Sequence, residues 1–169
     1  MIAVADTSLL NYLILLGRAD LLPGLFPRIL VPPAVLSELR DPNAPPAVRA
    51  WAFQPPVWFE VVPVREIDEG LPSQFGAGER EALSLALETH ADILLIDERA
   101  GREQADLRKI PVTGTLGILL RANAHAPINI PELLNTLKGL RFRVSPELEA
   151  DVLEKYSHQN SLRKENRLQ

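Results

Sequence analysis

Two stretches of this chain, Ile2-Ala3-Val4-Ala5-Asp6 and Ile93-Leu94-Leu95-Ile96-Asp97, are continuous apolar runs that stop on an aspartate. An apolar run without polar alternation is the pattern of a strand buried on both faces, as happens when helices cover both sides of a parallel sheet. Three further runs, Ile29–Val31, Phe59–Val64 and Ile110–Thr113, are of the same kind. Helical patterns lie between them, so the expected fold is α/β with a mainly parallel sheet and right-handed crossovers.

The helix signals are local. Thr7 and Ser8 can cap a helix through Leu9, Leu10, Leu13 and Leu16. Pro32-Pro33 opens a helix carrying Val35, Leu36 and Leu39, which should stop by Asp41-Pro42 because the residue before proline is pushed out of the α region. A short helix should follow Pro45-Pro46 through Trp51. Gly76-Ala77-Gly78 precedes the clearest helix, Glu79 to about Thr89, and more are expected near 99–108, 115–125, 131–140 and 146–156. Ser157 to Gln169 is polar without an apolar stripe, so it is expected to be a frayed tail or a segment ordered only by a partner.

Composition narrows the function classes. With 46% hydrophobic and 24% charged residues over 169 positions, the chain suits one folded domain and not a disordered segment. The absence of cysteine removes disulfides, thiol catalysis and thiolate zinc sites. No apolar run reaches the ~18–20 residues of a membrane span, and the start lacks the basic region of a signal peptide, so a cytoplasmic location is expected. The net charge of −4 is unevenly spread: 6 Lys/Arg against 14 Asp/Glu over residues 1–98, but 12 against 8 over 99–169. An acidic centre beside a basic region suits carboxylates that hold cations and arginines that meet phosphates, although a patchy surface gives the same count.

The chemistry falls at the strand ends. In a parallel sheet the carboxyl ends share one edge, and ligands bind there where the strand order reverses. If the first and fourth strands are neighbours, Asp6 and Asp97 face one crevice. Two carboxylates held close raise each other's pKa unless a cation lies between them, and Mg²⁺ or Mn²⁺ is the natural hard, oxygen-seeking choice. The plainer alternative is that each aspartate only caps the next helix. Glu79 shares a helix side with Ala82, Leu83 and Ala86, which points it toward the sheet, whereas Glu81 shares a solvent-like row with Ser84 and Glu88. Glu38, next to Leu39, can lean inward from its short helix or stay on the surface. Four acids from separate segments would form a pocket for one or two hard cations, suited to phosphodiester hydrolysis.

The motifs Val4-Ala5-Asp6-Thr7-Ser8, Val35-Leu36-Ser37-Glu38-Leu39, Gly78-Glu79-Arg80-Glu81-Ala82-Leu83 and Leu94-Leu95-Ile96-Asp97, in that order and spacing, resemble those of PIN-domain nucleases. The likeness is strongest to the VapC-like toxin ribonucleases of prokaryotic toxin–antitoxin pairs, in a subgroup with a C-terminal helical extension. The resemblance implies a three-layer α/β/α PIN-like fold with a five-stranded, mainly parallel sheet. Its extent would be residues 1–156, with a core over about 1–125, a helical extension over about 126–156 and the polar tail at 157–169. It also implies Mg²⁺- or Mn²⁺-dependent endoribonuclease activity. Asp6, Glu38, Glu79 and Asp97 match the family's acidic positions, with Asp6, Asp97 and Glu79 as metal ligands. Thr7 or Ser8 matches the small hydroxyl residue beside the first aspartate. Relatives often carry another acid shortly after the fourth-strand aspartate; here Glu98 is adjacent and Arg99 stands in the second place. Arg99 and Arg102 are phosphate-binding candidates, or else a solvated helix face. The implied partners are an RNA substrate, a small antitoxin protein and a second copy in a homodimer.

Other classes fit less well. An aspartyl-phosphate phosphatase would want an aspartate where Ser8 stands, and a receiver domain would want an acidic pair after the first strand. A serine hydrolase needs a histidine partner, but His90, His125 and His158 fall at helix ends or in the tail. The non-enzymatic alternative is a PIN-like module that binds RNA or protein without cutting. Thr115, in Val112-Thr113-Gly114-Thr115, could meet a phosphate or simply cap its helix.

Overall fold

Parallel pairing organises the first 115 residues. The computed structural model of the protein describes residues 1–167. Five strands, β1 (Ile2–Ala5), β2 (Arg28–Val31), β3 (Phe59–Val61), β4 (Ile93–Leu95) and β5 (Val112–Thr113), form one sheet in the order β3-β2-β1-β4-β5. Every pairing is parallel; β1 lies against β4 with Ala3 opposite Ile93, Val4 opposite Leu94 and Ala5 opposite Leu95. The chain moves outward from β1 to β2 and β3, then returns to β4 on the other side, so the order reverses between β1 and β4. This is the α/β architecture read from the apolar runs.

The helices of this unit are α1 (Thr7–Leu15), α2 (Leu22–Leu25), α3 (Pro33–Leu39), α4 (Pro46–Phe53), α5 (Ala77–Glu88) and α6 (Arg99–Leu107). Successive strand residues face opposite sides. Val4, Leu30 and Leu94 join Ala82, Leu83 and Ala86 of α5, with Leu71, Phe75 and Ala105, in one buried cluster. The strand residues between them, Ala3, Ala5, Ile29 and Leu95, are buried as well, which accounts for runs without alternation.

Several local expectations are corrected. The third strand ends at Val61, not Val64: Val62 still donates its N–H to Val31 O at 3.0 Å, but Pro63 has no N–H to continue the ladder. The fifth is only two residues long, Pro111 being likewise without a donor. The turn Ala19–Leu21 and the short α2 were not foreseen, since Pro23-Gly24 looks like a break and proline is tolerated only because it opens the helix. The row Glu81, Ser84 and Glu88 does not face solvent. Ser84 is 1% exposed and accepts the Asp68 N–H at 3.0 Å. Glu88 accepts the N–H groups of Arg65 and Glu66 (2.8 and 2.7 Å), and Glu81 accepts that of Ala34 (2.8 Å) in the first turn of α3. These side chains pair backbone donors of segments that have no ladder of their own.

A second compact unit begins at Leu116. It contains most of α7 (Thr115–His125), then α8 (Ile130–Gly139) and α9 (Pro146–Arg167). The expected polar tail is, from Ser157 to Arg167, the second half of α9; residues 168 and 169 lie outside the described residues. Polar contacts, not an apolar stripe, hold it. Asn123 of α7 is fully buried and donates to Gln159 Oε1 (2.7 Å) and more weakly to Asn160 Oδ1 (3.4 Å), while its own Oδ1 accepts the Ile128 N–H (3.1 Å). Gln159 donates to Leu120 O at 3.1 Å, and Arg163 donates to Asn123 O and to Asn160. Among the described residues no helix is long and apolar enough to cross a membrane.

Candidate active site

The reversal point between β1 and β4 sets the positions of two aspartates. Asp6 follows β1, donates its N–H to Leu95 O at 2.9 Å and is 2% exposed. It caps α1: Oδ2 accepts Ser8 Oγ–H at 3.0 Å and, weakly, the Ser8 N–H at 3.4 Å. Oδ1 is buried without a hydrogen-bond partner. Burial is the main reason its pKa is pushed up to about 6; the Ser8 and Thr7 bonds oppose this and the Glu79 charge adds to it.

Asp97 lies just beyond β4. It accepts the Thr115 N–H at 2.8 Å and the Thr115 hydroxyl at 2.6 Å, so it caps α7. Its N–H donates to Ser8 Oγ at 3.3 Å. One hydroxyl therefore links both strand ends, giving its hydrogen to Asp6 and accepting from Asp97. Burial raises the Asp97 pKa; the Thr115 bonds and the Arg102 charge work against this, and Glu98 works with it. Gly114 is required beside it, because a Cβ there would stand 2.6 Å from Asp97 Oδ1 and 3.0 Å from the Arg102 guanidinium.

The glutamates come from the helices. Glu79, in the first turn of α5, is half-buried. Its pKa is raised chiefly by burial and further by the charges of Glu98 and Glu38, against a bond from the Gly76 backbone. Glu38 of α3 accepts the Gly78 N–H at 2.9 Å and the Thr7 hydroxyl. A Cβ on Gly78 would run into the Glu38 carboxylate, so α5 can approach α3 only with glycine there. Glu79 is the electrostatic link, since its charge acts on Asp6 while those of Glu38 and Glu98 act on it.

The expected positions separate as follows. Asp6, Glu79 and Asp97 lie at or beside the crevice, Glu38 meets it through Gly78 and Thr7, and Thr7 and Ser8 are hydroxyl donors to Glu38 and Asp6. Arg102 acts on Asp97, whereas the almost fully exposed Arg99 pairs with Glu103 at 2.9 Å, one helical turn on. The plainer reading holds for both aspartates, since Asp6 caps α1 and Asp97 bonds the first turn of α7; both also lie at the reversal point, Asp6 buried and Asp97 partly exposed. Thr115, fully buried, is the residue whose part was missed: its capping signal was visible, but not that its partner is Asp97.

The donor set is entirely carboxylate and hydroxyl oxygen, which matches Mg²⁺ or Mn²⁺. The buried, unpartnered Asp6 Oδ1 is the atom a cation would satisfy. Among the described residues, however, no three acidic or histidine side chains already stand together as a metal-binding group. Three of the four carboxylates are instead bonded each to its own hydroxyl, Asp6 to Ser8, Glu38 to Thr7 and Asp97 to Thr115.

Comparison with known proteins places the chain. A family model described as PIN domain matches residues 2–158, and the chain belongs to that family, whose fold is of the nuclease type. Among solved structures it is similar to a PilT N-terminus domain protein, SSO1118, from the hyperthermophilic archaeon Sulfolobus solfataricus P2. The identity is 14%, the match covers 72% of this chain and 93% of that one, and the TM-score is 0.53. It is also similar to the PIN domain endonuclease Utp24, at 15% identity over 67% of this chain and 84% of that one, with a TM-score of 0.49. No curated protein sequence matches it.

Proposed function

We propose that this protein is a Mg²⁺- or Mn²⁺-dependent endoribonuclease whose site is the β1–β4 crevice. The observation that carries the reading is a buried carboxylate oxygen, Asp6 Oδ1, left unpartnered at the point where the strand order reverses. Asp6, Asp97 and Glu79 would hold the cation, with Glu38 supporting them from α3. When bound, a hard divalent ion lets these acids stay ionised together and supplies Lewis-acid chemistry for phosphodiester hydrolysis. Ser8 and Thr115 would orient the two aspartates, and Arg102, whose charge already acts on Asp97, would meet a phosphate oxygen.

The biological role we propose is that of a toxin restrained by a small antitoxin protein, acting as a homodimer; its support is the resemblance of the four acidic motifs. It predicts growth arrest when the protein is expressed without its neighbour, and normal growth with active soluble protein would remove it. The second reading, an RNA-binding module that does not cut, is favoured by one observation: no three acids are gathered among the described residues. RNA cleavage assays with Mg²⁺ or Mn²⁺, with EDTA and Asp97→Asn as controls, separate the two. Cleavage abolished by both controls supports the nuclease; RNA binding with no cleavage under any metal supports the module.

A further inference from the structure

The second unit contains a recess that the acidic site does not use. Its volume is about 270 Å³, and Pro127, Ile128, Tyr156, Arg163, Lys164 and Arg167 contribute to its walls. No acidic side chain lines it. Arg163 is held in place by its bonds to Asn160 and Asn123 O. Lys164 and Arg167 are exposed and, among the described residues, form no ion pair. Three cations thus rim a small, largely apolar hollow with an aromatic ring on its wall.

We propose that this recess anchors one nucleotide of single-stranded RNA, with the base against Tyr156, Pro127 and Ile128 and the flanking phosphates against Lys164 and Arg167. The pairing of a flat apolar surface with uncompensated cations matches the alternation of base and phosphate along a strand. An acidic peptide would satisfy the cations but leave the apolar wall without a flat partner. The hollow is near the lower limit of small-molecule pockets, so it takes one unstacked base and not a duplex. The proposal rests on the reading of RNA as the ligand, but it needs no cleavage.

The test is fluorescence anisotropy with a labelled single-stranded RNA, in the Asp97→Asn background with EDTA and over a range of salt. Lys164→Gln/Arg167→Gln should raise Kd about tenfold and reduce the dependence of log K on log salt by ~1.4, at ~0.7 per phosphate contact on a single strand. Tyr156→Leu should weaken binding at least about fivefold with the salt slope unchanged, the signature of a lost stacking platform. Arg163 is left intact because it anchors Asn123. Equal Kd and slope in all variants would overturn the proposal, as would a parent that binds no RNA. A labelled glutamate-rich peptide bound more tightly than RNA, and lost in the charge variant, would overturn it in favour of a protein partner. If the wild type cuts RNA while the variants bind like the parent, the anchoring site falls and the nuclease stands. If nothing cuts but the variants show these losses, the reverse holds.

Discussion

Asp6 and Asn123 are both buried polar residues, one in each unit, and they are treated in opposite ways. Asn123 is surrounded by partners: its amide N–H groups reach Gln159 and Asn160, its side-chain oxygen accepts from Ile128, and its backbone oxygen accepts from Arg163. Asp6 takes both Ser8 bonds on one oxygen, leaves the other buried without a partner, and has a pKa raised to about 6 by burial. A saturated buried amide fastens helices together. An unsaturated buried acid is a local instability that the fold tolerates, and such instability concentrates where a ligand is to be bound.

Substitution should therefore act in opposite directions at the two residues. Asp6→Asn should lower RNA cleavage by at least about 10²-fold, since it removes a charge on which the site depends. The same change should stabilise the metal-free protein at pH 7.5, by an amount on the order of 3 kcal/mol for a shift from 3.8 to about 6. Asn123→Ala should instead lose about 2–4 kcal/mol, because it strands several buried donors and acceptors; denaturant midpoints measure both. Loss of stability in Asp6→Asn would break the comparison.

The pH profile sharpens it. Between about pH 4 and 6 the folded chain holds a proton on Asp6 that the unfolded chain releases, so metal-free stability should fall as pH rises through this window; raised pKa values at Glu79 and Asp97 act in the same sense. Asp68, whose pKa is lowered by Arg108, works in the opposite direction only at lower pH. Melting temperatures in EDTA should therefore decline from pH 5 to 7.5, and Mn²⁺ should flatten the decline. A rise instead would contradict the assigned burial. The smallest effect lies outside both sites. Lys109 closes α6 at φ 57°, where glycine is favoured, and Lys109→Gly should add up to about 1 kcal/mol, visible as a small rise in melting temperature.

What the sequence disclosed followed from hydropathy and topology. Ile2–Ala5 and Ile93–Leu95 are strands because nothing polar interrupts them, and their parallel pairing brings the residues that follow to one edge. Glu79 was separable from Glu81 because a 3.6-residue period places it above Ala82, Leu83 and Ala86. Polar satisfaction was not legible. Ser84 and Glu88 look solvent-facing by periodicity, yet they serve backbone donors of residues 65–68. The second half of α9 has no apolar stripe, and the amides and the arginine that fix it give no periodic signal. Nor could spacing reveal that Thr115, 18 positions from Asp97, supplies both of its hydrogen bonds.

The Ser8 hydroxyl, placed between Asp6 and the Asp97 N–H, has a consequence for how the crevice is assembled. It adds a side-chain tie to the β1–β4 ladder, between strand ends about ninety residues apart in the chain, so the orientation of the Asp6 carboxylate is set during folding and not by whatever later enters the crevice. The ladder itself gathers those ends before any guest arrives, so a methyl in place of that hydroxyl would leave the crevice standing and free the Asp6 carboxylate to turn, a rotation the guest would then have to arrest.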